Sequence, residues 1–381
     1  MLKPRESAID IFVVIWHERR FPNGISILHP HDLPRAGRPV CDTKRRGEME
    51  SLEFDFQHDR TATTSWKESQ DFSWKLGNLR HPIPRQPPVR YNIIHRTTYT
   101  YESPVTVGHY TARLEPRAMP FQECPWHEIT IRPIPMQRAE RADYFGNTCV
   151  YFEIEGSHQK LEVIARSLVE VAPNQVIDAS TTPPWETVRD ACRADRASTS
   201  SMAGELAFAS QLIPVGSAFA DYARSSFPAQ RPILEGVCDL NRRINEDFIF
   251  DPAATDAATP VDQVLKKRRG VCQDFAQVMI ACLRSLGIPA RYVSGYLETL
   301  PPPGQVKLVG ADASHAWISV FCGEKVGWMD ADPTNNILPS DRHITVAWGR
   351  DFSDVSPLRG VTIGAGEQRL QVAVDVLPER D

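Results

Sequence analysis

The stretch RRGVCQDFAQVMIACLRSLGIPARYVSGYL, from Arg268 to Leu297, constrains the fold of this chain more than any other. After Gly270 the apolar residues Phe275, Ala276, Met279, Ile280, Leu283 and Leu286 recur at helical spacing. Gly287 follows, with Pro289 beyond it, and both residue types end helices. The spacing predicts a helix that opens at Cys272 and closes before Gly287. In its first turn the unpaired backbone N–H groups and the positive end of the helix dipole favour an anion. A thiol placed there is drawn toward the thiolate, its nucleophilic form. Cys282 lies mid-helix, gains nothing from the helix end, and is assigned to packing. Most free cysteines are small buried hydrophobes, so Cys272 needs a base before it can be read as a nucleophile.

The stretch GADASHAWISVFCGEKVGWMDADPTNN, residues 310–336, offers one. SHAWISVF alternates as a strand with His315 near its start, and EKVGWMDAD reads as a second strand after a Cys-Gly-Glu turn. An antiparallel pair of this kind can set His315 beside an aspartate. A thiol, an imidazole and a carboxylate are the groups that nucleophilic acyl transfer needs. The imidazole takes the thiol proton and later protonates the leaving amine; the carboxylate orients the imidazole and stabilises its cation. Asp330 and Asp332 both qualify as the carboxylate, and periodicity leaves the choice open because they are two residues apart. His95, His109, His127, His158 and His343 are read as structural. Trp317 and Trp328 are read as core or cleft-wall residues.

The rest of the chain divides by pattern. Residues 1–88 carry no sustained period, and HPIPRQPPVR is a proline-rich linker. This segment is expected to be disordered, or to be an upstream extension of the reading frame with Met49 as one candidate start. Its His29 and His31 are read as solvated residues rather than metal ligands. From Arg90, RYNIIHRTTYTY places Tyr91, Ile93, His95, Thr97, Tyr99 and Tyr101 on one face of a strand. HEITIRP, TCVYFEI and KLEVIARSLVEV continue the β pattern, and DYFGN supplies a turn. A small β-sandwich is expected over 89–172. Short helices are expected in the connecting region 173–229, from PWETVRDAC and GSAFADYARSSF. A stronger helix follows from Ile233, with Val237, Leu240 and Ile244 on one stripe and Cys238 as a core residue. In TPVDQVLKKRRG, Thr259 is the expected N-cap and Pro260 the first helical residue. LQVAVDVLP, after the turn TIGAGEQ, is expected to be a closing strand within a C-terminal β segment, 341–381.

Three of these stretches, GVCQDFAQVMIACLRSLGIPARYVSGY, SHAWISVF and GWMDADPTNN, together resemble the core of the bacterial transglutaminase-like proteins, within the transglutaminase and papain-like cysteine enzyme superfamily. YNIIHRTTYTYESPVTVGHYTARLEPR with DYFGN resembles the β domain that precedes that core in a bacterial subgroup. The resemblance covers about 90–378, including RHITVAWGRDFSDVSPLRGV, and leaves 1–88 unmatched. It implies Cys272 as nucleophile and His315 as catalytic histidine. It also implies Asp332 as the acid, four residues after Trp328, which breaks the tie with Asp330. Two departures stand out. No acidic cluster has calcium-loop spacing, and Phe250 occupies a place where relatives often have tyrosine. The backbone N–H of Cys272 is then the expected oxyanion donor.

The implied fold is α+β, a papain/transglutaminase-like core at 230–340 preceded by the β-sandwich. The implied activity is cysteine acyl transfer on carboxamide or peptide bonds through a thioester. A cysteine peptidase or amidase with the same triad is the alternative, and a non-catalytic scaffold the third reading. The expected partners are a protein or peptide substrate and a primary amine acceptor. A net charge of −5 gives no reason to expect nucleic acid. The eight cysteines form no CxxC pair and are scattered, which speaks for reduced thiols over zinc or disulfides. The apolar run Ile11–Trp16 is too short to span a membrane. The expectation is a cytoplasmic protein with no cofactor and no metal.

Overall fold

The computed structural model describes residues 25–27, 87–173, 177–194, 203–256, 258–299 and 314–379. Apart from strand β1 (Ile25–Ile27) and residues 87–88, the segment 1–88, with His29, His31 and Met49, lies outside the described residues. The described residues fall within a single compact unit.

Two strands of 24 residues organise the N-terminal part, β2 (Val89–Ala112) and β5 (Thr148–Val171). They pair antiparallel along their length, with a break in register between Thr100 and Val107. Strands β3 (Gln122–Arg132) and β4 (Gln137–Ala142) pair with opposite halves of β5. The predicted face of β2 is buried from Tyr91 through Tyr101 at every second residue, as the pleat requires. The two halves of the sheet fold toward each other. Tyr99, Ile131, Leu161 and Val163 of one half share a core with Tyr110, Val150, Phe152 and Ile154 of the other, which makes the sandwich.

Helices α1 (Trp185–Ala194), α2 (Ser217–Arg224) and α3 (Ile233–Asp247) follow. Strand β6 (Ile249–Phe250) pairs in parallel with β7 (Arg269–Gly270), and helix α4 (Val261–Lys267) lies between them. Pro260, not Thr259, is the N-cap residue of α4. The Thr259 hydroxyl is spent in the preceding loop, where it accepts from the Asp256 N–H and donates to the Asp256 carboxylate.

Helix α5 (Cys272–Ser285) is the centre of the second core, and Gly287 beyond it takes the left-handed φ of 79° that ends it. The sequence pattern gives α5 one apolar face, yet every residue from Cys272 to Arg284 is buried. Arg284, one of its polar members, is drawn in with its own partners: it donates to the carbonyls of Ala290 and Arg350 and to Ser210. Each large apolar side chain buried here, such as Met279 or Leu283, contributes roughly 1.5–3 kcal/mol. Strands β8 (Ala290–Leu297), β9 (Ser314–Phe321), β10 (Trp328–Ala331) and β11 (His343–Gly349) form an antiparallel sheet in the order β10-β9-β8-β11, with α5 packed against it.

After the short helix α6 (Phe352–Val355), strands β12 (Leu358–Ile363) and β13 (Gln368–Glu379) return to the first sheet. β13 pairs with the first half of β2 and β12 with the second, and β1 adds to the outer edge of β12. The C-terminal segment is thus shared: β11 completes the core sheet, and β12 and β13 complete the sandwich. No helix among the described residues is long and apolar enough to cross a membrane.

Candidate active site

Cys272 is the first residue of α5, after Val271 in extended conformation. Asp274 reaches back so that its Oδ2 accepts the Val271 N–H at 2.8 Å, which satisfies one of the free donors of the first turn. The same oxygen accepts the Thr255 hydroxyl at 2.6 Å, tying the loop before α4 to the helix start. Burial pushes the Asp274 carboxyl up to about 6, against those two hydrogen bonds. Gly270 leaves room for this carboxylate: a Cβ there would lie 2.4 Å from Asp274 Oδ2. The Phe250 ring meets Phe275 edge-on, with 6.4 Å between centroids, so it packs on α5.

His315 enters as the second residue of β9, opposite Gly295 of β8. Asp332 stands just past β10, at the mouth of a turn closed by the Asp332 N–H to Ile337 carbonyl bond at 2.9 Å. Helix α3 holds that turn from outside, with Asn245 Nδ2 donating to the Thr334 carbonyl at 2.7 Å. The result brings His315 Nε2 to 2.8 Å from Asp332 Oδ2. An ionised carboxylate only accepts, so Nε2 carries the hydrogen. The other ring nitrogen, Nδ1, is left for Cys272, whose thiol is close enough to help raise the His315 pKa. Cys272 is 7% exposed and Asp332 fully buried.

Burial alone pulls the His315 pKa down. The charge and hydrogen bond of Asp332, and then the contact with Cys272, more than offset this and raise it to about 10. Burial pushes Asp332 up, yet His315 and His343 hold it well below the usual carboxylate range. Cys282 is fully buried, and burial pushes its thiol up. The competing aspartate is engaged elsewhere: Asp330 Oδ2 accepts the Trp317 indole N–H at 3.0 Å. The Trp317 ring in turn stacks beside His315, centroids 6.0 Å apart.

Two residues that the sequence reading did not assign to the site also reach Asp332. Asn335 Nδ2 donates to Oδ2 at 2.7 Å and lies 3.4 Å from His315 Nε2. His343, read as structural, places Nε2 3.1 Å from the same oxygen. The only sequence signal for Asn335 is its place in DPTNN, three residues past the acid. The histidines read as structural include His95, held between Tyr296 and Thr97, and His127, held by Ser167. His315, Asp332 and His343 offer three ligand atoms within 4.8 Å of one another. Those atoms are already committed to mutual hydrogen bonds, with the Asn335 amide among them.

Residues 91–170 match the family described as the bacterial transglutaminase-like N-terminal region, and residues 220–333 match the transglutaminase-like superfamily. An uncharacterized protein of Mycobacterium tuberculosis is 40% identical over 300 residues, covering 76% of this chain and 93% of that protein. A protein-glutamine gamma-glutamyltransferase of Pseudomonas aeruginosa is 34% identical over 129 residues, which are 33% of this chain and 19% of that protein. A solved structure from Cytophaga hutchinsonii, described as a candidate cysteine protease, superposes with a TM-score of 0.62 at 19% identity. It covers 78% of this chain and 93% of that one, and shows the shared fold.

Proposed function

Because the chain belongs to the bacterial transglutaminase-like proteins, we propose that it is a cysteine acyltransferase acting on carboxamides through Cys272, His315 and Asp332. The observation that carries this reading is the buried pair at the start of the relay, Asp332 Oδ2 at 2.8 Å from His315 Nε2, with Cys272 near enough to the same ring to help raise its pKa. The raised pKa of His315 favours an imidazolium, the form that can protonate the departing nitrogen.

In the first half-reaction the thiolate adds to the carbonyl carbon. The oxyanion forms against the backbone N–H of Cys272. Collapse breaks the C–N bond, His315 delivers its proton to the departing nitrogen, and ammonia or an amine leaves a thioester on Cys272. In the second half-reaction His315 takes a proton from the acceptor, whose nitrogen or oxygen displaces the thiolate. A primary amine gives a new amide, and water gives the acid. The glutamyltransferase relative, whose likeness spans a third of this chain, supports the amine. The same first step would serve a peptidase or amidase, and exclusion of water from the cleft separates the two.

The test pairs two assays on one preparation: incorporation of a fluorescent primary amine into casein, and ammonia release from glutamine-containing peptides. Amine incorporation that disappears in Cys272→Ala supports the transferase. Amide or peptide cleavage without incorporation assigns the hydrolase instead. Turnover that survives in Cys272→Ala overturns both.

A further inference from the structure

Among the described residues, the Asp332 carboxylate accepts five N–H groups. Oδ1 takes the backbone N–H of Thr334 at 2.9 Å and of Asn335 at 3.2 Å, both from its own turn. Oδ2 takes His315, the Asn335 amide and His343. Four of the five come from β9 or from the turn that carries Asp332. Among the described residues, His343 alone comes from another element, as the first residue of β11. In the strand order β10-β9-β8-β11 it stands two strands from His315. The acid is therefore gripped between two imidazoles that are each fixed to the sheet.

The protonation of His343 follows from its partners. Asp332 can only accept, so the His343 Nε2 must carry a hydrogen. Its Nδ1 is buried with no partner among the described residues, and the side chain is 3% exposed. A second proton there would be stranded in the interior, so the ring is the neutral Nε2–H tautomer. The charged groups near it are Asp332, His315 and Asp330. One cation already lies beside it: His315 shares the same oxygen, its centroid 5.9 Å away. Burial, ahead of the opposing pull of Asp332, lowers the His343 pKa. Trp317 stands edge-on to the ring at 5.2 Å.

We propose that His343 is a positioning residue of the site: its Nε2–H holds Asp332 Oδ2 in line with His315 Nε2, and so keeps His315 Nδ1 toward Cys272. The proposal rests on the reading of Cys272, His315 and Asp332 given above. Without His343, the Oδ2 side of the acid is steered only by Asn335, on the same turn as the acid. The carboxylate then loses its one hydrogen bond to β11, and its Oδ2 can rotate away from the ring it must orient.

The test is the rate of Cys272 alkylation by iodoacetamide, followed by peptide mapping, in wild type, His343→Leu, His343→Gln and Asp332→Asn. The glutamine amide can present an N–H near the position of Nε2; leucine cannot. Near pH 6 the leucine variant is expected to label Cys272 about tenfold more slowly than wild type, one unit of the proton equilibrium. Toward about pH 9.5, where thiolate forms without help from the imidazole, the rates should converge. Glutamine should restore most of the acid-side rate. Leucine labelling like wild type near pH 6, or glutamine as slow as leucine in a variant that melts normally, overturns the role of His343. If Asp332→Asn is slow while leucine is not, the role of His343 alone fails. If Asp332→Asn also labels like wild type, the triad reading fails with it. Should the leucine variant not fold, the nitrogen-15 resonances of the wild-type ring decide. A neutral Nε2–H tautomer near neutral pH is expected, and an Nδ1–H tautomer or an imidazolium contradicts the proposal.

Discussion

Asp330 and Asp332 stand two residues apart and hold different rings: Asp330 the Trp317 indole, Asp332 the His315 imidazole. Asp332→Asn should therefore lower kcat/KM by on the order of 10³–10⁴, because an amide cannot stabilise the imidazolium. Asp330→Asn, which keeps an oxygen for the indole, should stay within about tenfold of wild type. The ion pair also sets a pH window. His315 is raised from 6.5 to about 10, so its contribution to stability is complete below 6.5 and lost as pH rises through 10. Asp332 is depressed, so its contribution is present above its ordinary 3.8 and lost only as pH falls through its lower folded value. Melting temperatures of wild type and Asp332→Asn should differ most between 3.8 and 6.5, and the difference should narrow from there toward 10 as the His315 share is lost. A constant difference across that range would contradict the pairing. Cys272 and His315 were legible because a helix start and a strand start mark them in the sequence. Asp332 was narrowed to a pair by spacing and singled out by resemblance. His343 was not legible. Its link to Asp332 runs through the lateral order of strands, which no local pattern encodes.

At the scale of elements, the start of α5 is built by close approach. Gly270 lets the Asp274 carboxylate fold back over the chain and accept from Val271 and Thr255. Gly270→Ala drives a methyl group into that carboxylate. It should cost about 1–3 kcal/mol, the range for a buried donor left unpaired, and slow acylation through a displaced Cys272. Thermal melts and single-turnover rates would check this together, and an unchanged melt with unchanged rate would remove Asp274 from the account. Both ends of α5 were readable from apolar spacing and Gly287. Its all-round burial was not, because Gln273, Asp274 and Arg284 are polar residues that the sheet and loops enclose. The misplaced cap of α4 has the same origin: Thr259 is a good capping residue by type, but its hydroxyl is already paired with Asp256.

On the scale of the whole molecule, the sandwich and the core are joined at the outer edge of β11. The Gln122 side chain accepts the Thr345 N–H and donates to the Thr345 carbonyl, both at 2.8 Å. Asn147, in the DYFGN turn, does the same for Trp348, at 3.0 and 2.9 Å. Two side-chain amides thus pair with an edge strand that would otherwise be open. Tyr91 and Ile93 of β2 and Val374 and Val376 of β13 share one apolar core with α5. Gln122→Leu strands the Thr345 N–H, whereas the Thr345 carbonyl keeps the Arg117 backbone N–H at 3.0 Å, and it should cost about 1–3 kcal/mol, read as a lower midpoint in urea. A midpoint within error of wild type would mean the two parts are not joined there. The β character of each part was legible from alternation. The return of β12 and β13 to β2 was not, since it joins strands more than two hundred residues apart, and only the folded register specifies it. The central claim, that this assembly makes Cys272 an acylating nucleophile, is tested most directly by single-turnover reaction with p-nitrophenyl acetate and mass mapping of the adduct. The account predicts one acetyl thioester, on Cys272, formed far more slowly in His315→Gln and Asp332→Asn. Acetylation spread over the other thiols, or a Cys272 adduct formed at the same rate without His315, would contradict it.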